Sequence, residues 1–251
     1  MKRKSRGFTL IEILIVVSIS IALAAIIVSV MRTARAKAHQ TTALQKLKQL
    51  GSTFAAYTTD KNGLLPLEDS AGTDDWVSAG RPENQEAWYN ALPRMMGART
   101  VGEIGSTDPK LFYEANYPLY IEGAPYPSAS KRLGAPMFAV GMNSRLQRKS
   151  EEGVKSQGRY SDIMEPTKTV VFLERGLPND KQTMSAQRGF DGSPKANARA
   201  FAARHNQKGV LVFADGHAAL YSAADLLTKG GSIVTPQTAI VWTMNPDSDP
   251  N

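Results

Sequence analysis

The chain has 251 residues, of which 42% are hydrophobic and 21% are charged. This composition is typical of one globular domain, and it excludes collagen-like, fully disordered and polytopic membrane proteins. The formal net charge is +7, from 30 Lys and Arg against 23 Asp and Glu, and the chain has no Cys. The lack of Cys excludes disulfides, thiolate zinc sites and Cys nucleophiles.

The excess of positive charge is concentrated at the amino terminus. Four cationic residues lie among the first six: Lys2, Arg3, Lys4 and Arg6. Without them, 26 cationic residues remain against 23 acidic ones, which is an unremarkable balance. Because the excess is local and forms no basic face, we expect no nucleic-acid partner.

An apolar run follows this basic segment. The 24 residues from Phe8 to Met31 contain a single charged side chain, Glu12. As an α-helix they would span roughly 36 Å, enough to cross a hydrocarbon core about 30 Å thick. In lipid, a helix is also the only single-segment structure that satisfies its own backbone. Residues 8–31 therefore predict a transmembrane helix.

Glu12 is the feature that an ordinary signal anchor does not explain. A carboxylate in the apolar layer costs several kcal/mol unless it has a partner. Cleavage between Gly7 and Phe8 would place a new α-amino group near Glu12, in the same or a neighbouring subunit, and opposite charges attract strongly at low dielectric. A head-to-tail contact of this kind that does not close generates a helical filament.

The segment KRKSRGFTLIEILIVV closely resembles the leader of type IV pilins and type II secretion pseudopilins. The resemblance implies that a membrane-bound prepilin peptidase cuts after Gly7 and N-methylates Phe8. It also implies that Glu12 occupies the position of the family's assembly glutamate. One difference is that many relatives have a Pro near the end of the apolar run, whereas this chain has none up to Met31.

The resemblance further implies how the chain is organised and placed. Residues 1–7 would be the leader, residues 8–31 the transmembrane and assembly helix, and residues 32–251 a periplasmic or extracellular globular domain. Charges on the two sides of the span only slightly favour a cytoplasmic amino terminus, and the family's topology agrees with it. The implied partners are the prepilin peptidase, identical or related pilin-like subunits, and lipid of the inner membrane.

Downstream patterns predict an α+β fold, in which the long helix packs on a small antiparallel sheet. An apolar stripe continues the helix to about Thr59, where a stop signal rich in Asp, Asn and Gly begins. Residues 60–135 are rich in Gly and Pro, and we expect a variable, loop-rich insert with one short helix at 86–92. Strands are predicted at 137–140 and 169–174, and the tail from Asn245 is expected to be frayed.

Asp215-Gly216 predicts a tight hairpin turn within residues 200–221. We expect a two-residue turn, with Ala214 paired to His217. That register would place four apolar side chains on one core face: Leu211, Phe213, Ala218 and Leu220. A short helix with a capping box would begin at Ser222.

The histidines provide a second candidate site. His205, Asp215 and His217 are ligand types that a metal accepts, but their spacing alone does not bring them together. The segment RHNQKGVLVFADGHAAL also resembles the H-x9-DG motif of a large group of pilin-like proteins, which spans His205, Asp215 and Gly216. We therefore interpret these three motif residues as structural.

The sequence thus predicts a structural subunit of a type IV pilus-like or type II secretion-like filament, with no catalytic residues, metal or cofactor. The lack of Cys removes the disulfide loop common in surface pilins, and this slightly favours a pseudopilin. Two alternatives stay open. One is a membrane-anchored metal-dependent hydrolase that uses His205, Asp215 and His217, and the other is a tethered module that binds a glycan or polymer through the aromatic side chains of 60–135.

Overall fold

The computed structural model describes residues 9–68, 75–149 and 155–251. Gly7 and Phe8, the predicted processing junction, lie outside the described residues. The architecture is one long amino-terminal helix packed on a five-stranded sheet, with short helices around it. The α+β prediction is confirmed.

Helix α1 runs over Leu10–Asp60, which is 51 residues, and confirms the predicted end near Thr59. Its second half carries the apolar stripe, and Leu47, Leu50 and Phe54 are buried against the sheet. The helix ends where the backbone enters the left-handed region at Asn62 (φ 52°) and Gly63 (φ 83°). These residue types adopt that region at little cost, so the stop signal has a local backbone cause.

The segment between α1 and the first strand is built of short helices. They are α2 (Trp76–Ala79), a 3-10 turn (Pro82–Asn84), α3 (Trp88–Met95), α4 (Val101–Gly105), a second 3-10 turn (Pro109–Tyr113) and α5 (Ala129–Gly134). The predicted helix at 86–92 is therefore present, shifted toward the carboxyl end. Trp88, Tyr89 and Phe112 from this segment are fully buried in the core against α1 and the sheet. These aromatic side chains build the core of the domain.

The main sheet has the strand order β5-β1-β4-β6-β7. Its strands are β1 (Val140–Asn143), β4 (Val170–Glu174), β5 (Lys195–Ala196), β6 (Lys208–Phe213) and β7 (Ala218–Ser222). A separate ribbon consists of β2 (Arg148–Lys149) and β3 (Lys155–Ser156), and α6 spans Ala223–Leu226. All pairings in the main sheet are antiparallel except β1 with β5, so the predicted antiparallel sheet is mixed at one edge.

The β6–β7 hairpin differs from its predicted register by one residue. Val212 pairs with Ala218 and Leu211 with Ala219, so the loop has three residues, Ala214 to Gly216. The two-residue turn and the Ala214–His217 pair were wrong. The Phe213 backbone nitrogen donates to the His217 carbonyl at 2.9 Å, so Ala214 joins the loop, and Gly216 (φ 90°) takes the left-handed last position typical of three-residue loops. A shift of one residue moves side chains to the opposite face.

As a result, the predicted common face is also wrong. Val210, Val212, Ala218 and Leu220 face the core that contains α1. Leu211 and Phe213 face a second cluster on the other side of the sheet, which also contains Trp242. The capping box of α6, between Ser222 and Asp225, is as predicted.

Two further expectations need correction. The strand predicted at 137–140 lies at Val140–Asn143, and the buried amide of its last residue, Asn143, donates to the carbonyls of Val170 (2.8 Å) and Trp242 (2.9 Å). The tail from Asn245 is packed rather than frayed. Gln237 donates to carbonyls within the tail, and the side-chain oxygen of Asn251 accepts from the backbone nitrogen of Ile233 at 2.7 Å.

Candidate functional site

The first half of α1 is an exposed apolar surface. Every residue from Leu10 to Met31 is exposed, and most of these side chains are Ile, Val, Leu or Ala. Within the described part of the chain, α1 is the one helix long and apolar enough to cross a membrane, and none of its most apolar 18 residues is buried. The other described residues leave this surface uncovered, and an apolar surface of this size is typical of a segment that contacts a bilayer or other helices.

Glu12 has a local role that the sequence analysis missed. Its carboxylate accepts from the backbone nitrogen and the hydroxyl of Thr9, each at 2.8 Å. The Thr9 hydroxyl in turn accepts from the Glu12 backbone nitrogen at 3.3 Å, which completes a capping box. The Thr-x-x-Glu spacing is the signal that could have revealed it. In the single chain, the Glu12 carboxylate is thus exposed and held at the positive end of the helix dipole.

His205 lies in a tight turn that leads into β6. Asn206 (φ 52°) and Gln207 (φ 62°) are both left-handed, and His205 and Lys208 exchange backbone hydrogen bonds of 2.7 and 3.1 Å across them. The turn directs the imidazole inward, where Nε2 lies 3.1 Å from a carboxylate oxygen of Glu174. The other Glu174 oxygen accepts from the backbone nitrogen of Val210 at 2.9 Å.

Arg204 joins the same buried network. Its guanidinium lies 3.3 Å from Glu174 and 2.5 Å from Asp180, and it also donates to the carbonyls of Ala139 and Arg175. Burial alone would lower the pKa of Arg204, but the two carboxylates outweigh burial and raise it. The guanidinium therefore stays charged, with its donors satisfied. No short motif predicts this network, because Glu174, Asp180 and Arg204 are far apart along the chain.

Asp215 and Gly216 form the opposite end of β6. The Asp215 carboxylate accepts from the His217 backbone nitrogen at 3.1 Å and lies 2.6 Å from His217 Nδ1. The imidazole of His217 stacks on Phe213 with ring centroids 4.3 Å apart. The Asp215 carboxylate thus forms an Asx-type hydrogen bond with the backbone two residues later, and this bond stabilises the hairpin loop.

Gly216 docks directly on the long helix. A Cβ placed on Gly51 of α1 would lie 2.5 Å from the Gly216 carbonyl oxygen and 2.7 Å from Cγ1 of Val212. Both distances are shorter than a van der Waals contact, so only glycine fits at Gly51. The close approach of helix and hairpin is a consequence of two glycines, one in each element.

The three predicted metal-ligand candidates do not meet. His205 precedes β6, whereas Asp215 and His217 follow it, and the strand between them is roughly 17 Å long at about 3.4 Å per residue. In the residues that the structure describes, no group of three or more His, Asp or Glu could hold a metal ion. The spacing that suggested a hydrolytic centre thus places its members at the two ends of one strand.

Lys46 is a further residue whose role was missed. Its ammonium donates to three backbone carbonyls of the insert: Ala115 (2.7 Å), Tyr117 (3.2 Å) and Tyr120 (2.7 Å). Burial lowers the pKa of Lys46, and the carboxylate of Glu122 opposes this shift. Lys46 therefore attaches α1 to the insert.

Comparison with known proteins gives one finding. The family described as Prokaryotic N-terminal methylation motif matches residues 2–28, a range that contains Gly7, Phe8 and Glu12. No curated protein and no solved structure matches the chain. Together with the exposed apolar helix, the match supports a type IV pilin-like precursor subunit with a single membrane anchor.

Proposed function

We propose that this protein is the precursor of a filament subunit. A prepilin peptidase cleaves it between Gly7 and Phe8 and methylates Phe8, and the mature chain polymerises through residues 8–31. The filament is of the type IV pilus or type II secretion class, and the pseudopilin form is favoured. The observation that carries the proposal is a single helix whose first half is apolar and fully exposed, in a chain whose amino terminus matches the methylation motif.

Assembly requires the apolar half of α1 to exchange lipid for neighbouring helices. Lipid tails are as apolar as these side chains, so the exchange itself provides little specificity. A charge pair in this medium attracts strongly and sets the axial register. We assign that pair to the carboxylate of Glu12 and the α-amino group of Phe8 in a neighbouring subunit.

The H-x9-DG motif, in this proposal, is structural. His205 and Glu174 attach the first end of β6 to β4, and Gly216 attaches the last end to α1 at Gly51. The strand that packs along the helix is thus held at both ends. The motif maintains the angle between the membrane-directed helix and the globular domain, which we place in the periplasm.

The two alternatives find less support in the described residues. A metal-dependent hydrolase would need His205 and Asp215 at one centre, and they lie at opposite ends of β6. A glycan-binding module would need exposed aromatic side chains, but Trp88 and Phe112 of the insert are fully buried.

The direct test is intact mass and amino-terminal sequencing of the membrane-extracted protein. We expect a mature chain that begins at N-methylated Phe8. An intact Met1 terminus in cells that contain an active prepilin peptidase would overturn the proposal and leave a signal-anchored domain.

Glu12→Leu and Glu12→Gln separate assembly from helix capping. Gln preserves the capping box with Thr9 but removes the charge, whereas Leu removes both. We expect both variants to be cleaved as the wild type is, and both to assemble poorly in a filament-shearing assay. Normal assembly of Glu12→Gln would show that the charge is dispensable and that Glu12 acts only as a cap.

A further inference from the structure

A cleft of about 850 Å³ separates the middle of α1 from the base of the globular domain. Arg32 and Lys37 line it from α1, and Lys208 lines it from the start of β6. Leu220 of β7 and the Glu122–Gly123 loop complete the wall. The tight turn at His205 is what brings Lys208 to this position, because the two residues face each other across the turn.

The charge of the cleft is positive and largely uncompensated. Arg32 and Lys208 have no ion-pair partner among the described residues, and Lys37 donates only to the side-chain oxygen of Gln40 at 2.7 Å. The one acidic side chain in the wall, Glu122, lies 3.6 Å from Nδ1 of His39. Arg204 also lines the cleft, but its charge is already balanced by Glu174 and Asp180. Three cations without an ion-pair partner among the described residues therefore line the cleft, against the single carboxylate of Glu122.

The position of the cleft along α1 indicates what fills it. The apolar run ends at Met31, so Arg32 lies one residue beyond the hydrocarbon core and Lys37 about 9 Å beyond Met31. The headgroup layer of one leaflet is roughly 5–8 Å thick. When residues 8–31 span the bilayer, Arg32 lies within the headgroup layer. The backbone of Lys37 lies just outside this layer, and its long side chain, which leans toward the amino terminus of the helix, reaches back to the lipid phosphates. Lys208 faces the same region from the domain.

We propose that this cleft binds the phosphate headgroup of an anionic phospholipid in the leaflet next to the globular domain. The inference rests on the membrane-spanning part of the proposed function. Arg32, Lys37 and Lys208 hold the phosphate. An anionic headgroup such as phosphatidylglycerol is preferred over phosphatidylcholine, whose own ammonium the three cations repel. The bound lipid holds the domain against the membrane until the subunit leaves the bilayer.

The test measures lipids retained by the full-length protein in native mass spectrometry. The protein is transferred from nanodiscs containing equal amounts of phosphatidylglycerol and phosphatidylcholine, and a parallel sample receives millimolar inorganic phosphate. We expect one phosphatidylglycerol retained per chain, with no displacement by phosphate. The double variant Lys37→Gln/Lys208→Gln should bind phosphatidylglycerol at least about tenfold more weakly than the wild type. The control variant Lys110→Gln/Lys131→Gln removes two exposed lysines outside the cleft and should bind it as the wild type does.

Each other outcome overturns the inference. Equal retention of both lipids, or retention unchanged in the cleft variant, would show that the cleft does not select a headgroup. Displacement by inorganic phosphate would assign the cleft to a free anion instead. Protease protection of the same nanodiscs distinguishes failure of the lipid-binding inference from failure of the proposed function. A protein that inserts as a single span but does not select a lipid contradicts only the lipid-binding inference. A protein that does not insert at all contradicts both the lipid-binding inference and the proposed function.

Discussion

Gly51→Ala tests the close approach between α1 and the hairpin. In an exposed helix interior, Gly to Ala stabilises a protein by about 1 kcal/mol, because Ala restricts the unfolded backbone and favours helix. Here the added methyl group would lie 2.5 Å from the Gly216 carbonyl oxygen and 2.7 Å from Val212. The first of these atoms belongs to the backbone of a closed loop and has no rotamer to change.

The magnitude follows from these two opposing effects. Overpacking of this kind costs about 1–3 kcal/mol, which exceeds the helix propensity that Ala contributes. Because the clash is with a backbone atom, the cost falls in the upper half of this range. After subtraction of the roughly 1 kcal/mol that Ala contributes, we expect Gly51→Ala to lower the free energy of unfolding by about 1–2 kcal/mol. The hairpin loop must move away from the helix, so the loss is expected mainly in contacts of Asp215 and Gly216.

Gly134→Ala is the matched control. Gly134 is the last residue of α5, and a Cβ placed there meets no atom within 4 Å. It should leave stability unchanged or raise it by up to about 1 kcal/mol. Chemical denaturation of both variants in detergent, followed by tryptophan fluorescence, measures the difference. If Gly51→Ala is as stable as Gly134→Ala, the described contact between helix and hairpin is wrong.

Three other predictions concern stability, each measured by the same denaturation assay. Glu174→Gln removes one of the two carboxylates that balance the buried Arg204 and should cost about 1.5–3 kcal/mol, and a loss below 1 kcal/mol would contradict the network. Lys46→Met should cost about 2 kcal/mol because three carbonyls lose their charged donor, whereas Lys48→Met on the exposed face of α1 should cost little. Burial raises the pKa of Tyr113 to about 12, and it also raises the pKa of three other tyrosines: Tyr57, Tyr117 and Tyr126. Below a pH of about 10, the pKa of tyrosine in the unfolded chain, these side chains contribute fully to stability. As the pH rises from there toward the pKa in the folded state, the free energy of unfolding falls by about 1.4 kcal/mol per tyrosine and pH unit. A free energy of unfolding that does not change from pH 10 to 12, together with tyrosinate absorbance that appears at the pH expected for free tyrosine, would contradict the raised pKa values.

Some features of the fold could be predicted because their cause is local. The extent of α1 follows from an apolar stripe and from a stop signal at Asn62 and Gly63, both of which act over a few residues. The capping box at Ser222 is likewise contained in four residues. The exposed apolar run to Met31 needs no knowledge of the rest of the chain.

Other features depend on contacts between distant segments and could not be predicted. Gly216 of the hairpin loop docks on Gly51, which lies 165 positions earlier in the chain. His205 points to Glu174, and the pairing depends on a register between β4 and β6 that no short motif specifies. Lys46 lies on a face that resembles a solvated one until the insert folds over it.

The absence of Pro from α1 has a mechanical consequence. A continuous helix of 51 residues is about 77 Å long, and no joint separates the part in the bilayer from the part in the domain. Any tilt or rotation of the amino-terminal half of α1 is therefore transmitted through the continuous helix to the sheet. In the proposed filament subunit, a force that pulls the chain out of the membrane would be carried by the packing of Leu47, Leu50 and Phe54, and the domain could not rotate independently of the helix. The direction in which the domain faces a neighbour is thus decided by the rotation of the helix in the lipid.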